Sequence, residues 1–314
     1  MDQEKNDWDK FFLSQKKPIN FEATVNSIEE FCGFHHSLGS NVALVTSGGT
    51  SVPLEHNTVR YIDNFSAGTR GSASAEKFIS KDYAVIFLHR KGSLKPFHRY
   101  FRECIDFMDI TSGLNGEKGI KVSTDVGQKI LPKLEAYKQA KISQKILFIS
   151  YTSLSDYLFL LRELASKLAK LDSKVIIYLA AAVSDFYIPD KNLPEHKIQS
   201  SEGPLTVTLE IVPKILAPLV KIWAPEAFTI SFKLETDESL LENKSKKALR
   251  TYGHSLVIAN ILQTRKEMVW LVDRESTSKI SLNADEMLNG LEIEDKIVNK
   301  IVLLHDEFVI NKSR

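Results

Sequence analysis

Three short stretches of the chain combine the residue types that hold phosphates and carboxylates, and each reads as the end of a buried strand: Leu44–Thr50, Arg60–Gly71 and Leu179–Phe186. In Ser47-Gly48-Gly49-Thr50 the glycines open backbone N–H groups to a close phosphate, and the hydroxyls add donors. In Asn64-Phe65-Ser66-Ala67-Gly68-Thr69-Arg70-Gly71 the small residues Ser66, Gly68 and Gly71 precede a helix-forming stretch, whose first N–H groups and positive dipole end favour anions. Asn64 offers a donor and an acceptor, and Arg60 or Arg70 a bidentate partner for a carboxylate or phosphate. In Ala180-Ala181-Ala182-Val183-Ser184-Asp185 the small side chains of Ala181 and Ala182 let an extended ligand lie against the backbone, with Asp185 beyond the strand end. Lys197 follows in a loop as a candidate cation for developing phosphate charge. Phe232 and Asn260 end two further strands, one suited to pack on a base and the other to bond to one. Singly, each has a plainer reading as a tight turn, a capped helix start, a solvated lysine or a core aromatic. Together they suggest one crevice at the strand ends of an open α/β sheet.

Other chemistries find little support. There is no G-x-G-x-x-G after a strand and no GxxxxGK[ST], so neither the dinucleotide fingerprint nor the P-loop is met. The eight histidines form no HxH or HxxxH, which argues against a protein-held catalytic metal; His35 and His36 read as surface residues of the first helix. No GxSxG elbow or Cys/His pairing supports nucleophilic hydrolysis. Cys32 and Cys104 show no CxxC spacing, as expected for inert thiols in a reducing compartment. A formal charge of +1 disfavours nucleic acid as a partner. The N-terminus is acidic and polar, with no apolar signal region, and runs such as Val175–Val183 are too short to span a bilayer. A cytoplasmic protein is expected.

The elements that must position these residues alternate along the chain. Residues 1–40 read as an N-terminal helical segment, with a helix over 21–38, and residues 41–314 as one α/β domain. Strands are expected at 41–46, 83–89, 145–151, 175–179, 227–232 and 256–260, and helices at 72–80, 125–141, 153–171, 213–223 and 237–252. Ser153 suits an N-cap, and Pro213 the first turn of its helix. Residues 205–211 alternate like an antiparallel strand, 267–272 and 278–282 like a hairpin, and one or two helices close the chain over 284–308. Residues 91–121 read as an irregular insertion. The pattern predicts a Rossmann-like, doubly wound and mainly parallel sheet flanked by helices, with a small antiparallel flap at about 187–212.

In order and spacing, LVTSGGT, VPLE, R-x-x-DNFS-x-G-x-RG, LAAAVSDFY, PEHKIQSS, GPL, ISFKLETD and the Ala259-Asn260 pair closely resemble eukaryotic phosphopantothenoylcysteine synthetase, from Val42 to about Asp306. The resemblance implies a Rossmann-like homodimer that joins 4′-phosphopantothenate to L-cysteine in coenzyme A synthesis. A nucleoside triphosphate with Mg²⁺ activates the pantothenate carboxylate as an acyl-nucleotidyl anhydride, releasing pyrophosphate. The cysteine amine then displaces the nucleotide monophosphate. Eukaryotic members mainly use ATP and bacterial ones CTP.

By motif position, the resemblance assigns Gly48, Ser66, Gly68, Gly71, Phe232 and Asn260 to the nucleotide. It assigns Asn64, Ala181, Ala182 and Asp185 to the pantothenate part, with Arg60 reaching in from the adjacent subunit. Lys197 matches the flap lysine that stabilises the charge of adenylate formation. The chain departs from many members at Ala67 and Thr69, which puts only side-chain contacts there in doubt. Such chemistry needs donors and cations that bring two anions together rather than a nucleophile, which fits the missing triad. Residues 1–40 are too few for the flavin-dependent decarboxylase that bacterial relatives carry, so no FMN is expected. The rival readings are an NAD(P)-dependent oxidoreductase, disfavoured by the missing fingerprint, and an inactive nucleotide-binding scaffold, disfavoured by the presence of Asn64, Asp185 and Lys197.

Overall fold

In a computed structural model describing residues 2–113 and 116–314, strand Val42–Ser47 (β1) is buried along its whole length. It lies between Ala84–Arg90 (β4) and Val175–Leu179 (β8), parallel to both. Met1 in the acidic N-terminus, and Leu114 and Asn115 in the 91–121 insertion, lie outside the described residues. Two short strands, Ser51–Pro53 (β2) and Tyr61–Asp63 (β3), pair as a hairpin between β1 and β4, so the Arg60–Gly71 stretch follows an exposed hairpin arm and not a buried strand of the main sheet. Met108–Ser112 (β5) and Lys118–Val122 (β6) form a second hairpin, and Ile146–Tyr151 (β7) extends the main sheet beside β4. Beyond β8, Phe186–Tyr187 (β9) pairs antiparallel with Glu210–Ile211 (β10). Phe228–Glu235 (β11) and Leu256–Ile261 (β12) continue the parallel sheet, and Met268–Val272 (β13) and Thr277–Ser281 (β14) close it antiparallel. The order is β14-β13-β12-β11-β8-β1-β4-β7. The chain therefore winds outward from β1 through β4 to β7, then returns to β8 on the other side. The crevice where the winding reverses, at the C-terminal ends of β1 and β8, is where such sheets bind ligands.

Strands buried on both faces read as continuous apolar runs, and successive side chains divide between two cores. Val42 and Leu44 face one side with Ile86, Leu88 and Ile177, covered by Asp2–Ser14 (α1), Phe21–Ser37 (α2) and Leu154–Leu168 (α5). Ala43 and Val45 face the other with Val85, Phe87 and Ile176, covered by Thr69–Ser80 (α3) and, after the intervening helices, by the last helix of the chain. Thr124–Ile142 (α4) packs Ala140 and Tyr137 on Phe97 and Ile146. Leu216–Pro218 (α6) runs into a π-helical turn at Leu219–Trp223, and Leu241–Tyr252 (α7) covers β12 and β13 through Leu241 and Leu249. Ala284–Leu288 (α8) leads to the final helix, Ile293–Lys312 (α9), whose Ile297 and Ile301 complete the second core.

Capping is local and follows the sequence. The Asp156 amide donates to Ser153 Oγ at 3.0 Å, and the Ser153 amide donates back to Asp156 Oδ2 at 3.0 Å. α1 is fastened by aromatic edges: Trp8 meets Trp223 at 6.2 Å, Phe11 meets Tyr187 at 5.0 Å and Phe12 meets Phe159 at 4.9 Å.

Several local expectations need correction. The 91–121 segment is not irregular; besides the β5–β6 hairpin it holds short 3₁₀ turns at His98–Phe101 and Cys104–Phe107. The alternation over 205–211 yields only Glu210–Ile211 as strand, because Phe186–Tyr187 offers just two pairing residues. Pro213 stands outside the following helix, whose α-helical part starts at Leu216. α3 begins at Thr69, three residues earlier than expected, with Gly68 as its left-handed cap. His35 is buried, not superficial: Nδ1 meets Ser40 Oγ at 3.2 Å and Nε2 meets the Gln144 carbonyl at 3.0 Å.

Candidate active site

The C-terminal end of β1 is built without room for side chains. Gly49 bridges Ala182, the Ala182 amide donates to the Gly48 carbonyl at 2.8 Å, and the Thr50 amide donates to the Ala182 carbonyl at 3.0 Å. Two buried hydroxyls hold the loop after β8 against this end: Thr46 Oγ1 accepts from the Ala181 amide at 3.1 Å, and Thr50 Oγ1 from the Ser184 amide at 3.0 Å. The Asn64 amide donates to the Thr50 carbonyl at 3.1 Å. A β-carbon added at Gly49 would lie 1.6 Å from the Asn64 carbonyl oxygen, so this glycine fixes how closely the Asn64 loop approaches. Gly48, Asn64, Ala181, Ala182 and the base of Asp185 thus meet around Thr50.

The start of α3 closes the same rim. Ser47 Oγ donates to the Gly68 carbonyl at 3.1 Å, and Ser66 Oγ accepts from the Gly68 amide at 3.4 Å. A β-carbon at Gly71 would fall 2.5 Å from both Cβ and Oγ of Ser47. The helix N-terminus is therefore pressed against the end of β1, where its free N–H groups and dipole suit an anion.

Phe232 and Asn260 lie toward the C-terminal ends of β11 and β12, beyond β8 on the same sheet edge. Phe232 sets its edge against Tyr178 at 4.9 Å, and Tyr178 shares a 2.8 Å hydrogen bond with Ser74 of α3. Asn260 is buried to 6 % exposure.

Arg60 and Lys197 sit in the two outer loops. Glu55, fully buried, accepts from the Arg60 amide at 3.0 Å and from Arg60 Nη1 at 2.9 Å. Those bonds, led by the Arg60 amide, hold its carboxyl below the usual carboxylate range. Arg60 Nη1 also donates to the Ile198 carbonyl at 3.2 Å, while the His56 and Asn57 amides donate to Pro194 and Glu195. The segment carrying Lys197 is thus tied to the Arg60 loop, and Lys197 itself is exposed.

Other contributors had been given no role from the sequence. Lys214 Nζ donates to Asp185 Oδ1 at 2.6 Å across 29 positions, both side chains being more than half exposed; such a pair orients groups more than it stabilises the fold. Ser93 lies over both glycine turns, its Oγ 3.2 Å from a β-carbon added at Gly48 and its Cβ 3.3 Å from one at Gly68. Glu55 belongs to the VPLE motif, whereas nothing local marks Lys214 or Ser93.

Comparison with known proteins places the fold. Residues 160–302 match the family described as DNA/pantothenate metabolism flavoprotein C-terminal domain. The human phosphopantothenate–cysteine ligase is 45% identical over 278 residues, covering 88% of this chain and 89% of the human protein. The CAB2 ligase of Saccharomyces cerevisiae is 40% identical over 328 residues, covering 97% of this chain and 87% of the yeast one. A solved structure of a Cab2 mutant in complex with phosphopantothenate-cysteine superposes with a TM-score of 0.88 at 39% identity, covering 97% of this chain and 99% of that one. At 40–45% identity over most of its length to ligases of human and yeast, the chain belongs to the phosphopantothenate–cysteine ligase family.

Proposed function

We propose that the chain forms the amide between 4′-phosphopantothenate and L-cysteine in coenzyme A synthesis, driven by ATP at the rim around Thr50, with CTP as the second candidate nucleotide. In the first half-reaction a pantothenate carboxylate oxygen attacks the α-phosphorus and pyrophosphate leaves. In the second the cysteine amine attacks the acyl carbon, AMP leaves and the amine gives up a proton. The observation that carries the reading is the convergence of the Gly48, Asn64 and Ala181–Asp185 loops on Thr50, beside the N-terminus of α3.

In this reading Gly48, Ser66, Gly68 and Gly71 receive the nucleotide phosphates, and Phe232 and Asn260 its base. Asn64 orients the pantothenate carboxylate, Ala181, Ala182 and Asp185 hold the pantothenate chain, and Lys197 meets the charge that develops at phosphorus. Positioning and charge compensation are the whole of the protein's task. Among the described residues no three His, Cys, Asp or Glu side chains cluster as a metal cage. Mg²⁺ would therefore come with the triphosphate, bound by phosphate oxygens, and would offset their charge.

Exposed apolar side chains on the two small hairpins, Tyr61 and Ile62 with neighbouring Phe65, and Phe186 and Ile211, support a homodimer in which Arg60 reaches the partner's site. Among the described residues no helix is long and apolar enough to cross a membrane, and we assign the enzyme to the cytoplasm. The test is pyrophosphate release with 4′-phosphopantothenate and either ATP or CTP, with and without cysteine. Release that needs the acyl substrate, and AMP that appears in step with amide, is expected; release indifferent to phosphopantothenate would overturn the reading. Stabilisation by NADPH but not by ATP in a melting assay would favour an oxidoreductase instead.

A further inference from the structure

Beyond β4 the chain doubles back over the glycine turns of the crevice. The Ser93 amide and Oγ donate to the Arg90 carbonyl at 3.0 and 2.8 Å, and the Leu94 amide donates to the Ala67 carbonyl at 2.9 Å, one residue before Gly68. The side of Gly48 on which a side chain would stand is filled by Arg90 Cβ, and the same side of Gly68 by Ser47 Oγ, Ser93 Cβ and the Leu94 carbonyl oxygen. Further on, the His98 amide donates to the Pro96 carbonyl at 2.8 Å and closes a γ-turn around the buried Phe97, at φ 64° and ψ −41°. This positive-φ form of the γ-turn is rare and strained, and persists only where its surroundings over-determine it. The Phe97 amide donates to Glu76 Oε1 at 2.7 Å. Glu76, buried on α3, also accepts from Arg99 Nε at 2.8 Å, from Arg99 Nη2 at 3.0 Å and from the Tyr100 hydroxyl at 3.0 Å. The Arg99 guanidinium is bidentate to Glu292, the N-cap of α9, at 2.5 Å to each oxygen. Two further pairs, Arg70–Glu294 at 2.9 Å and Lys77–Asp295 at 2.7 Å, join α3 to the start of α9.

We infer that Glu76 and Arg99 are positioning residues for the nucleotide: they hold the Arg90–Phe97 segment as a fixed wall of the phosphate cradle at Gly48 and Gly68. The inference rests on the proposed function, which gives those glycines to the triphosphate. It adds a role for two residues that lie outside every motif of the sequence. Glu76 follows Thr69 by two turns of α3, so one helix carries both the N–H groups that suit an anion and the carboxylate that retains the wall. The strained turn is held because four donors converge on Glu76. The planar Arg99 fork spans two carboxylates, a task for which the single ammonium of a lysine is not shaped. The loops around Thr50 that are assigned to the acyl substrate have separate fastenings, through Thr46, Thr50 and Ala182. Loosening the clamp should therefore act on the nucleotide selectively.

The experiment measures pyrophosphate release by the full chain at varied ATP with saturating 4′-phosphopantothenate, and the converse, for the wild type, Arg99→Lys and Glu292→Gln. Arg99→Lys keeps the charge and loses the fork. Its KM for ATP should rise by about tenfold while its KM for 4′-phosphopantothenate stays within about twofold of the wild type. Glu292→Gln weakens one arm at a side chain that is 31% exposed, so it should fold even where the lysine variant does not. Its KM for ATP should rise by about two- to threefold. A clamp that only stabilised the fold would reduce the amount of active enzyme, lowering kcat with both KM values unchanged. That result, an equal rise in both KM values, or an unaltered KM for ATP in Glu292→Gln would overturn the inference. Calorimetric titration of the same samples with ATP alone separates this inference from the ligase reading. ATP affinity that falls in Arg99→Lys without any wild-type turnover would sink the reaction but not the clamp, and turnover with unaltered ATP affinity would do the reverse.

Discussion

Gly49→Ala isolates the role of the Asn64 loop, because the φ at Gly49 is not in the left-handed region and the added methyl itself causes no backbone strain. What it meets is the Asn64 carbonyl oxygen at 1.6 Å and the carbonyl carbon at 2.8 Å, both backbone atoms that cannot rotate away. Restoring ordinary contact at 3.4 Å requires the two loops to part by about 1.8 Å. That movement stretches the bond between the Asn64 amide and the Thr50 carbonyl, now 3.1 Å, and carries the Asn64 side chain away from the carboxylate it is proposed to orient. Overpacking of this kind costs about 1–3 kcal/mol of stability, while a displacement of about 1 Å at a reacting group can cost roughly a hundredfold in rate. We expect Gly49→Ala to lower kcat/KM for pyrophosphate release by at least about a hundredfold while the melting temperature falls by only several degrees. Gly33→Ala is the control: it sits in α2 with nothing within 4 Å of the new methyl and should stabilise the chain slightly. A Gly49→Ala enzyme with near wild-type kcat/KM would refute the argument that Asn64 must be held this close to β1.

Further outcomes can be checked in the same preparation. Asn64→Asp should fold normally and lose most adenylate formation, since it sets a second negative charge beside the substrate carboxylate; pyrophosphate release near the wild-type rate would contradict the orienting role. Arg60→Ala and Asp185→Ala should each be nearly inactive, and their random mixture should recover roughly a quarter of the sites if Arg60 acts across a two-fold interface; no recovery would place Arg60 in its own subunit's site. His254 is buried against Ser231, and burial, with a smaller contribution from Arg274, lowers its pKa from 6.5 to about 4. The unfolded chain takes up a proton that the native state refuses, so stability should fall as pH drops from about 6.5 towards 4. His254→Gln, which keeps a donor for Ser231, should reduce the loss between pH 7 and 5 by on the order of 2 kcal/mol, read from denaturant midpoints at the two pH values. Burial lowers His35, His89 and His305 too, so some acid sensitivity should remain.

What the sequence made legible was what neighbouring residues decide. The limits of β8, the Ser153 cap and the glycine turn after β1 all follow from apolar runs interrupted by small or polar residues. The elements that were missed depend on distant partners. His35 occupies a helix position that reads as superficial until Gln144, 109 positions away, closes over it. The β5–β6 hairpin is exposed on nearly every residue, so no buried face imposed a period on its sequence. Residues 205–209 alternate well, but the partner strand is too short to pair with them. In the site, backbone and glycine positions were readable as motifs, whereas the Thr46 and Thr50 clips and the Lys214–Asp185 bond appear only once β1 and β8 lie side by side.

The edge-on meeting of Trp8 with Trp223 gives the chain an intrinsic optical probe. One indole rides on α1, the other ends the turn that follows the flap, and the remaining tryptophan, Trp270, is placed far along the chain in β13. Emission from this pair therefore monitors whether the amino-terminal helix stays seated, without any dye or label. Unseating that helix should shift the emission, and Trp8→Phe, which leaves Trp223 without its partner indole, should shrink the shift.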